Sequence, residues 1–318
     1  MPKIEAYEAY LKGRQQQVKV TPESLELARR YHQQAIGLDP AFGMAHIGLA
    51  FYWMTVAHFG QHSVNEGVSA ARTEVQRALQ IDPTLADGHA LLGYLAALFD
   101  SDWAAAEKHF DFPMAKQASF ELVRPMYGGF LYLRGNAEEA VKLAERAIEE
   151  DPLDVWAHMN LHAYLQAAGR EDEAMEQLRR VVELDPNQVV ALASMVMIHA
   201  EKGEIAQALR IARRAYAVGR WFPDTVGLLA ALLRCNGEEE ESRSIAKEFG
   251  TGDALGDARA HALFHLICGE IDQGADWVEK AIEQRDSSMR FYLGFVICKK
   301  LRASNRWPKI AKMVNLPA

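Results

Sequence analysis

Histidine is the side chain in this sequence whose spacing most resembles reactive chemistry. His58 and His62, His158 and His162, and His261 and His265 are each four residues apart. On a helix that spacing turns both imidazoles to one face, as a zinc site requires. Two ligands do not complete such a site, and none of the three pairs carries the glutamate of a His-Glu-x-x-His motif. The reading is therefore packed or hydrogen-bonded histidines, with no metal and no cofactor. Carboxylates are abundant, as in the run Glu238 to Glu241, but at helix starts they favour the dipole and solvation. No phosphate-binding loop, nucleophile elbow or dinucleotide-binding glycine pattern occurs. Cys235, Cys268 and Cys298 lie about thirty residues apart with no paired C-x-x-C spacing, and read as small buried apolar residues in a reducing compartment. The chain is expected not to be an enzyme.

Composition narrows the alternatives. Of 318 residues, 49% are hydrophobic and 25% charged, enough apolar content for a large core. A formal net charge of -8 without a basic run leaves little for a nucleic-acid backbone to recruit, so no direct nucleic acid is expected. No window approaches the eighteen or so apolar residues of a membrane span, and the first residues lack the apolar run of a signal peptide. A cytoplasmic location and no membrane association follow as expectations.

The elements that would position these residues repeat. Gly135, Gly169, Gly203 and Gly237 recur every 34 residues, each after an apolar stretch and before an acidic one. Five positions on stand Ala140, Ala174, Ala208 and Ser242, small residues where two helices must approach. Asp-Pro pairs at Asp39-Pro40, Asp82-Pro83, Asp151-Pro152 and Asp185-Pro186 end one helix and turn the chain towards the next. Apolar residues between the markers recur at three and four, as in Leu161, Tyr164 and Leu165, then Ala174, Leu178 and Val181. These are paired amphipathic helices, and period-two alternation for strands is absent.

Period, glycines and Asp-Pro endings together resemble the tetratricopeptide repeat (TPR). The stretch Ala6-Tyr7-Glu8-Ala9-Tyr10-Leu11-Lys12-Gly13-Arg14, with Thr21-Pro22-Glu23-Ser24-Leu25, is similar to the TPR regions of bacterial signalling and regulatory proteins, where they follow DNA-binding, kinase or cyclase domains. The resemblance implies an all-α fold, a right-handed superhelix of helix-turn-helix repeats forming a single domain over 1–318 with about eight hairpins. Departures from the period predict an enlarged loop near 57–68, irregular units near 108–120 and 249–257, and a capping tail over 302–318. Pro113 predicts a helix that kinks or stops near Phe112.

In TPR architecture the first helix of each pair lines a concave surface. Helical spacing ahead of the turn glycines then selects Phe42, His46, Tyr52, Trp53, Tyr94, Tyr132, Trp156, Met159, Asn160, Gln166, Met197 and Arg234 as partner-binding residues. Such a lining suits a peptide or helix of a protein partner, since aromatic rings give contact area at low entropic cost and Met adapts its shape. TPR proteins that grip an acidic carboxyl terminus carry Lys and Asn where this chain has Pro125, Gly129, Met159 and Ala163, which disfavours that mode. The expected function is a non-catalytic protein-protein interaction scaffold, alternatively a sensory TPR module of a larger signalling protein; a homo-oligomer is compatible with either. Both readings need the hollow side to be open.

Overall fold

A computed structural model describes residues 2–115 and 122–316. Among them the chain is helical, without strands, and no helix is long and apolar enough to cross a membrane. It divides into two compact units, Met1–Phe130 and Leu131–Ala318. The first holds the pairs α1 (Ile4–Gln17) with α2 (Pro22–Leu38), α3 (Gly43–His58) with α4 (Val64–Ile81), and α5 (Ala86–Leu95) with α6 (Trp103–Ala115). Helix α7 (Val123–Leu133) runs across the point of division. The second unit continues with α8 (Ala137–Glu150), α9 (Val155–Ala167) with α10 (Glu171–Leu184), α11 (Val189–Glu201) with α12 (Ile205–Gly219), α13 (Pro223–Cys235) with α14 (Glu239–Ala246), and α15 (Asp257–Ile267) with α16 (Ile271–Glu283). Three short helices follow: α17 (Ser287–Tyr292), α18 (Lys299–Arg302) and α19 (Trp307–Met313).

Each marker read from the sequence has a local cause. Gly135, Gly169, Gly203, Gly237 and Gly269 all sit at φ between 75° and 94° between the helices of a pair, a region that side chains with a Cβ resist. A methyl placed on any of the five would meet nothing within 4 Å, so backbone conformation rather than space demands glycine. At the other turn, Asp39, Asp82, Asp151 and Asp185 are extended at the helix end, as a residue before proline must be. Their carboxylates accept the backbone N–H two residues on, from Ala41, Thr84, Leu153 and Asn187 at 2.8–3.1 Å. One turn type is thus built four times. The opening Thr21-Pro22-Glu23-Ser24 forms a capping box on α2, Thr21 and Ser24 exchanging side-chain and backbone hydrogen bonds at 3.0 and 3.2 Å.

The two helices of a pair differ in what they must bury. In α8, α10 and α12 only a narrow stripe is buried, such as Ala174, Met175, Leu178 and Val181 of α10, and charged residues cover the rest. By contrast α9, α11 and α13 are buried almost all round, from Val189 to Ile198 in α11 and from Asp224 to Leu233 in α13. A helix apolar on every side needs cover on every side.

The irregularities differ in detail from those expected. The turn between α3 and α4 is confined to 59–63, because the extra residues lengthen the two helices to 16 and 18 residues instead of enlarging the loop. At Gly67 those helices come so close that a Cβ would lie 2.8 Å from that of Ala57. Helix α6 does not stop at Phe112: Pro113 lies within its last turn, where one lost hydrogen bond is tolerated, and the helix continues to Ala115. Residues 116–121 of the irregular stretch, and 317–318 of the tail, lie outside the described residues. A π turn at Ala96–Asp100, closed by Ser101 at φ 53°, is the deviation the sequence did not signal. The loop read over 249–257 is present, between a 3-10 turn ending at Phe249 and α15. In the tail, α19 packs on α16 through buried Ile310, with Arg306 and Lys309 bonding Glu279 at 2.9 and 2.5 Å.

Replacing Gly169 by Ala is expected to destabilise the chain by about 1 kcal/mol, because the cost is that of a left-handed residue with a Cβ. Urea denaturation of the variant checks it; Gly169→Asn, which tolerates this conformation better, is expected to lose less.

Candidate functional site

The cover for the first helices of the second unit is the chain itself. Residues 287–302 lie across them and touch all five. On α7, the Tyr132 ring meets Phe291 at 4.5 Å and its hydroxyl donates to the Phe291 carbonyl. On α9, Gln166 Oε1 accepts the Val296 N–H at 3.1 Å and the His162 ring meets Phe295 edge-on at 5.5 Å. The 3-10 turn Val296–Cys298 packs on α11 and α15. On α13, Asp224 accepts the Tyr292 hydroxyl. Met289, Tyr292, Leu293, Phe295, Val296, Ile297 and Cys298 are all buried, each large apolar side chain worth about 1.5–3 kcal/mol in removal from water.

An ionic lock fixes the start of this segment. Arg259 of α15 is fully buried; its Nε donates to Asp224 at 2.6 Å and its Nη1 to Asp286, with Phe222 below the guanidinium at 5.8 Å. Asp286 also caps α17, accepting the Met289 N–H at 3.0 Å. Burial pushes the Asp224 carboxyl and the Tyr292 phenol above their ordinary values. Burial also opposes the charge on Arg259, but the two carboxylates outweigh it and hold the guanidinium protonated. In the sequence Asp286 follows the α16 helix with Ser287 after it, where the earlier Asp endings have proline. In the structure that aspartate is the anchor of the segment.

The twelve candidate residues fall in both units. In the second, Tyr132 and Gln166 lie beneath the segment, Met159 and Met197 are buried, and Trp156 and Asn160 are half-buried. Arg234 pairs with Glu270 at 2.7 Å and lies over Phe264. A hollow left open along these helices was the expectation; here residues 287–302 fill it, because the apolar side chains that would have lined it require burial. In the first unit, Phe42 packs with Tyr10, Ala6 and Ala45 in an apolar cluster, and buried His46 bonds Glu74 at 2.6 Å. Tyr52 is buried, and Tyr94 packs its ring against Gly129. Trp53 differs from these. It contacts Tyr52 and His62 edge-on and lines a cleft of about 630 Å³ with Gln33, Leu49, Asn65, Ser69 and Arg77.

The histidines are engaged one by one. His158 bonds Gln177 and the Pro152 carbonyl at 2.7 and 3.1 Å, His261 stacks on Trp277 at 4.0 Å, and His265 bonds Glu270 at 2.7 Å. Among the described residues no group of three or more His, Cys, Asp or Glu is placed to hold a metal ion. Buried His32 fits between α1 and α3, where a methyl on Gly13 or Gly48 would strike its ring at 2.6 or 2.4 Å. Its Nε2 is 3.0 Å from Gln17 Oε1. The cysteines do not share one environment: Cys298 is buried, but Cys235 is exposed and Cys268 half-buried, since both fall at helix ends that open to the turn.

Residues 131–196 match the model of a tetratricopeptide repeat. These are tetratricopeptide repeats. No curated protein is significantly similar to the chain in sequence. Solved structures are similar in fold: pilF of Pseudomonas aeruginosa, 20% identical over 70% of this chain and 97% of that one, TM-score 0.51; human IFIT1 in a dimer with PPP-AAAA, 16% identical over 82% and 68%, TM-score 0.57; and yeast Tom70, 16% identical over 98% and 67%, TM-score 0.55. At such identities the likeness is one of fold.

Two outcomes are expected for the buried core. Arg259→Met is expected to cost about 3–5 kcal/mol in urea unfolding, because two buried carboxylates lose their counter-charge; adding Asp224→Asn and Asp286→Asn to it is expected to restore part of the loss. Burial pushes His32 and His162 down to about 4 from 6.5, so between those values the unfolded chain binds more protons than the native one. Stability is therefore expected to be full above about pH 6.5 and to fall as pH drops towards 4, by up to about 3 kcal/mol per histidine. Denaturation midpoints across that window check the sign, and His162→Leu is expected to flatten the slope.

Proposed function

We propose that this TPR chain is a non-catalytic scaffold that binds a peptide or helical segment of a protein partner. One observation carries the reading: the second unit already holds a length of polypeptide, residues 287–302, by aromatic contacts and a side-chain bond from Gln166 to a main-chain N–H. A helical segment laid on an apolar face by ring contacts and a few polar bonds is the helix-in-groove mode of recognition. The same chemistry in a place not filled by the chain is the Trp53 cleft of the first unit. There a half-buried indole and Leu49 supply apolar area, and the amides of Gln33 and Asn65 and the guanidinium of Arg77 supply polar contacts. Arg77 bonds Glu74 at 2.6 Å and Glu74 bonds His46, so the cleft's polar wall is held in place from behind. A polyanion such as the PPP-AAAA carried by IFIT1 is less suited to a chain with a net charge of -8.

The test is selection of a displayed peptide library on the full chain, followed by titration of selected peptides against wild type and Trp53→Ala. Loss of affinity by about tenfold or more, with helical circular dichroism unchanged, is the expected result for a ring at a binding hot spot. Peptides whose binding ignores Trp53, or a library that yields none, would remove the cleft from the proposal.

A further inference from the structure

Cys235 is the last residue of α13 and Cys268 follows the last residue of α15. They are 33 positions apart, close to one repeat, so stacking of like helices sets them side by side. The two helices pack tightly: a methyl on Gly227 would lie 2.5 Å from the Ala260 carbonyl oxygen. Cys268 Sγ lies 4.0 Å from the Ala231 carbonyl oxygen of α13, so its side chain reaches over the neighbouring helix. Ala231 stands one helical turn before Cys235 on α13, so the Cys268 sulfur lies beside the Cys235 end of that helix. Cys235 is exposed to solvent and Cys268 is half-buried behind it.

We propose that Cys235 and Cys268 form a peroxide-reactive dithiol site that closes to an intramolecular disulfide between adjacent repeats. The Cys235 thiolate attacks one oxygen of a peroxide; the O–O bond breaks, and the leaving hydroxide takes up a proton as water. Cys235 is then a sulfenic acid. Cys268 gives up its proton and its sulfur attacks the Cys235 sulfur; the S–O bond breaks and the hydroxide leaves with that proton as a second water. Two thiols and one hydrogen peroxide thus give one disulfide and two waters, the peroxide accepting the two electrons.

The surroundings assign the roles. The adjacent Cys268 thiol and the neighbouring Arg234 guanidinium bring the Cys235 thiol down to about 7, against burial and the Glu270 carboxylate, while the same adjacency and burial raise Cys268. The charged groups acting on the pair are Arg234 on α13 and Glu270 in the turn after α15, with Glu239 of α14 acting on Arg234 and His265 of α15 bonded to Glu270. Arg234 and His265 both bond Glu270, at 2.7 Å each, which holds the positive charge beside the exposed thiol. Cys298 provides an internal contrast, being buried with its thiol pushed up to about 12.

The experiment treats the reduced full chain with one equivalent of hydrogen peroxide at neutral pH and reads intact mass and non-reducing peptide maps. Expected are a monomer lighter by two hydrogens, a cross-linked peptide joining Cys235 to Cys268, and an unmodified Cys298. In Cys268→Ser the sulfenic acid on Cys235 is expected to persist and be trapped by dimedone; in Cys235→Ser the rate of peroxide consumption is expected to fall about tenfold or more. Alkylation of Cys235 by iodoacetamide is expected to rise through a midpoint near 7, the value its surroundings set. Oxidation of Cys235 to sulfinic acid while Cys268 stays a free thiol, or disulfides found only between chains, would overturn the proposal.

Discussion

A helix that is apolar on all sides cannot end its packing at one neighbour, and this requirement organises the second unit. Helices α9, α11 and α13 bury one side against the charged-faced second helices of the repeats and would leave the other exposed. Residues 287–302 meet that need from within the chain. Their placement is set by the strongest local interaction available, a guanidinium with no access to water between two carboxylates. Such a lock is costly to desolvate and gains little as net stability, but it penalises any position of the segment that leaves a charge unpaired. It specifies where the segment goes more than how tightly it is held.

This arrangement changes what the repeats can offer to another molecule. An array of like hairpins ordinarily presents its first helices as a docking surface, and here five of them are engaged by the chain's own residues 287–302. In the second unit, of the side chains selected for a groove, Tyr132 holds the segment and Met159 and Met197 lie buried. Trp53 in the first unit is in a different situation, because a cleft between α2, α3 and α4 leaves its indole half-buried with polar neighbours. The second unit covers its first helices with its own chain, and the first unit carries the cleft beside Trp53.

The repeat spacing has a chemical consequence as well as an architectural one. Stacking brings residues about 34 positions apart into contact, so any reactive side chain that recurs near the period acquires a neighbour of its own kind. Cys235 and Cys268 meet in that way, and the charge beside them, Arg234 held by Glu270, belongs to the same stacked helix ends. A pair with no recognisable motif in the linear sequence becomes a dithiol.

What the sequence determined by itself was local. Glycine at 34-residue intervals, Asp-Pro at helix ends and apolar residues three and four apart specify a left-handed turn, a side-chain-capped turn and an amphipathic helix. Each depends on residues within one hairpin, which is why paired helices could be read from it. Tertiary structure decided the remainder: that an apolar first-helix face is covered by residues 287–302, that Arg259 and Asp286 meet, that Pro113 lies within a helix instead of breaking it, and that Cys268 is stacked beside the Cys235 end of α13. These are contacts between residues tens of positions apart. Their partners are chosen by three-dimensional packing and desolvation, and no periodicity along the chain encodes which buried surface will be matched to which.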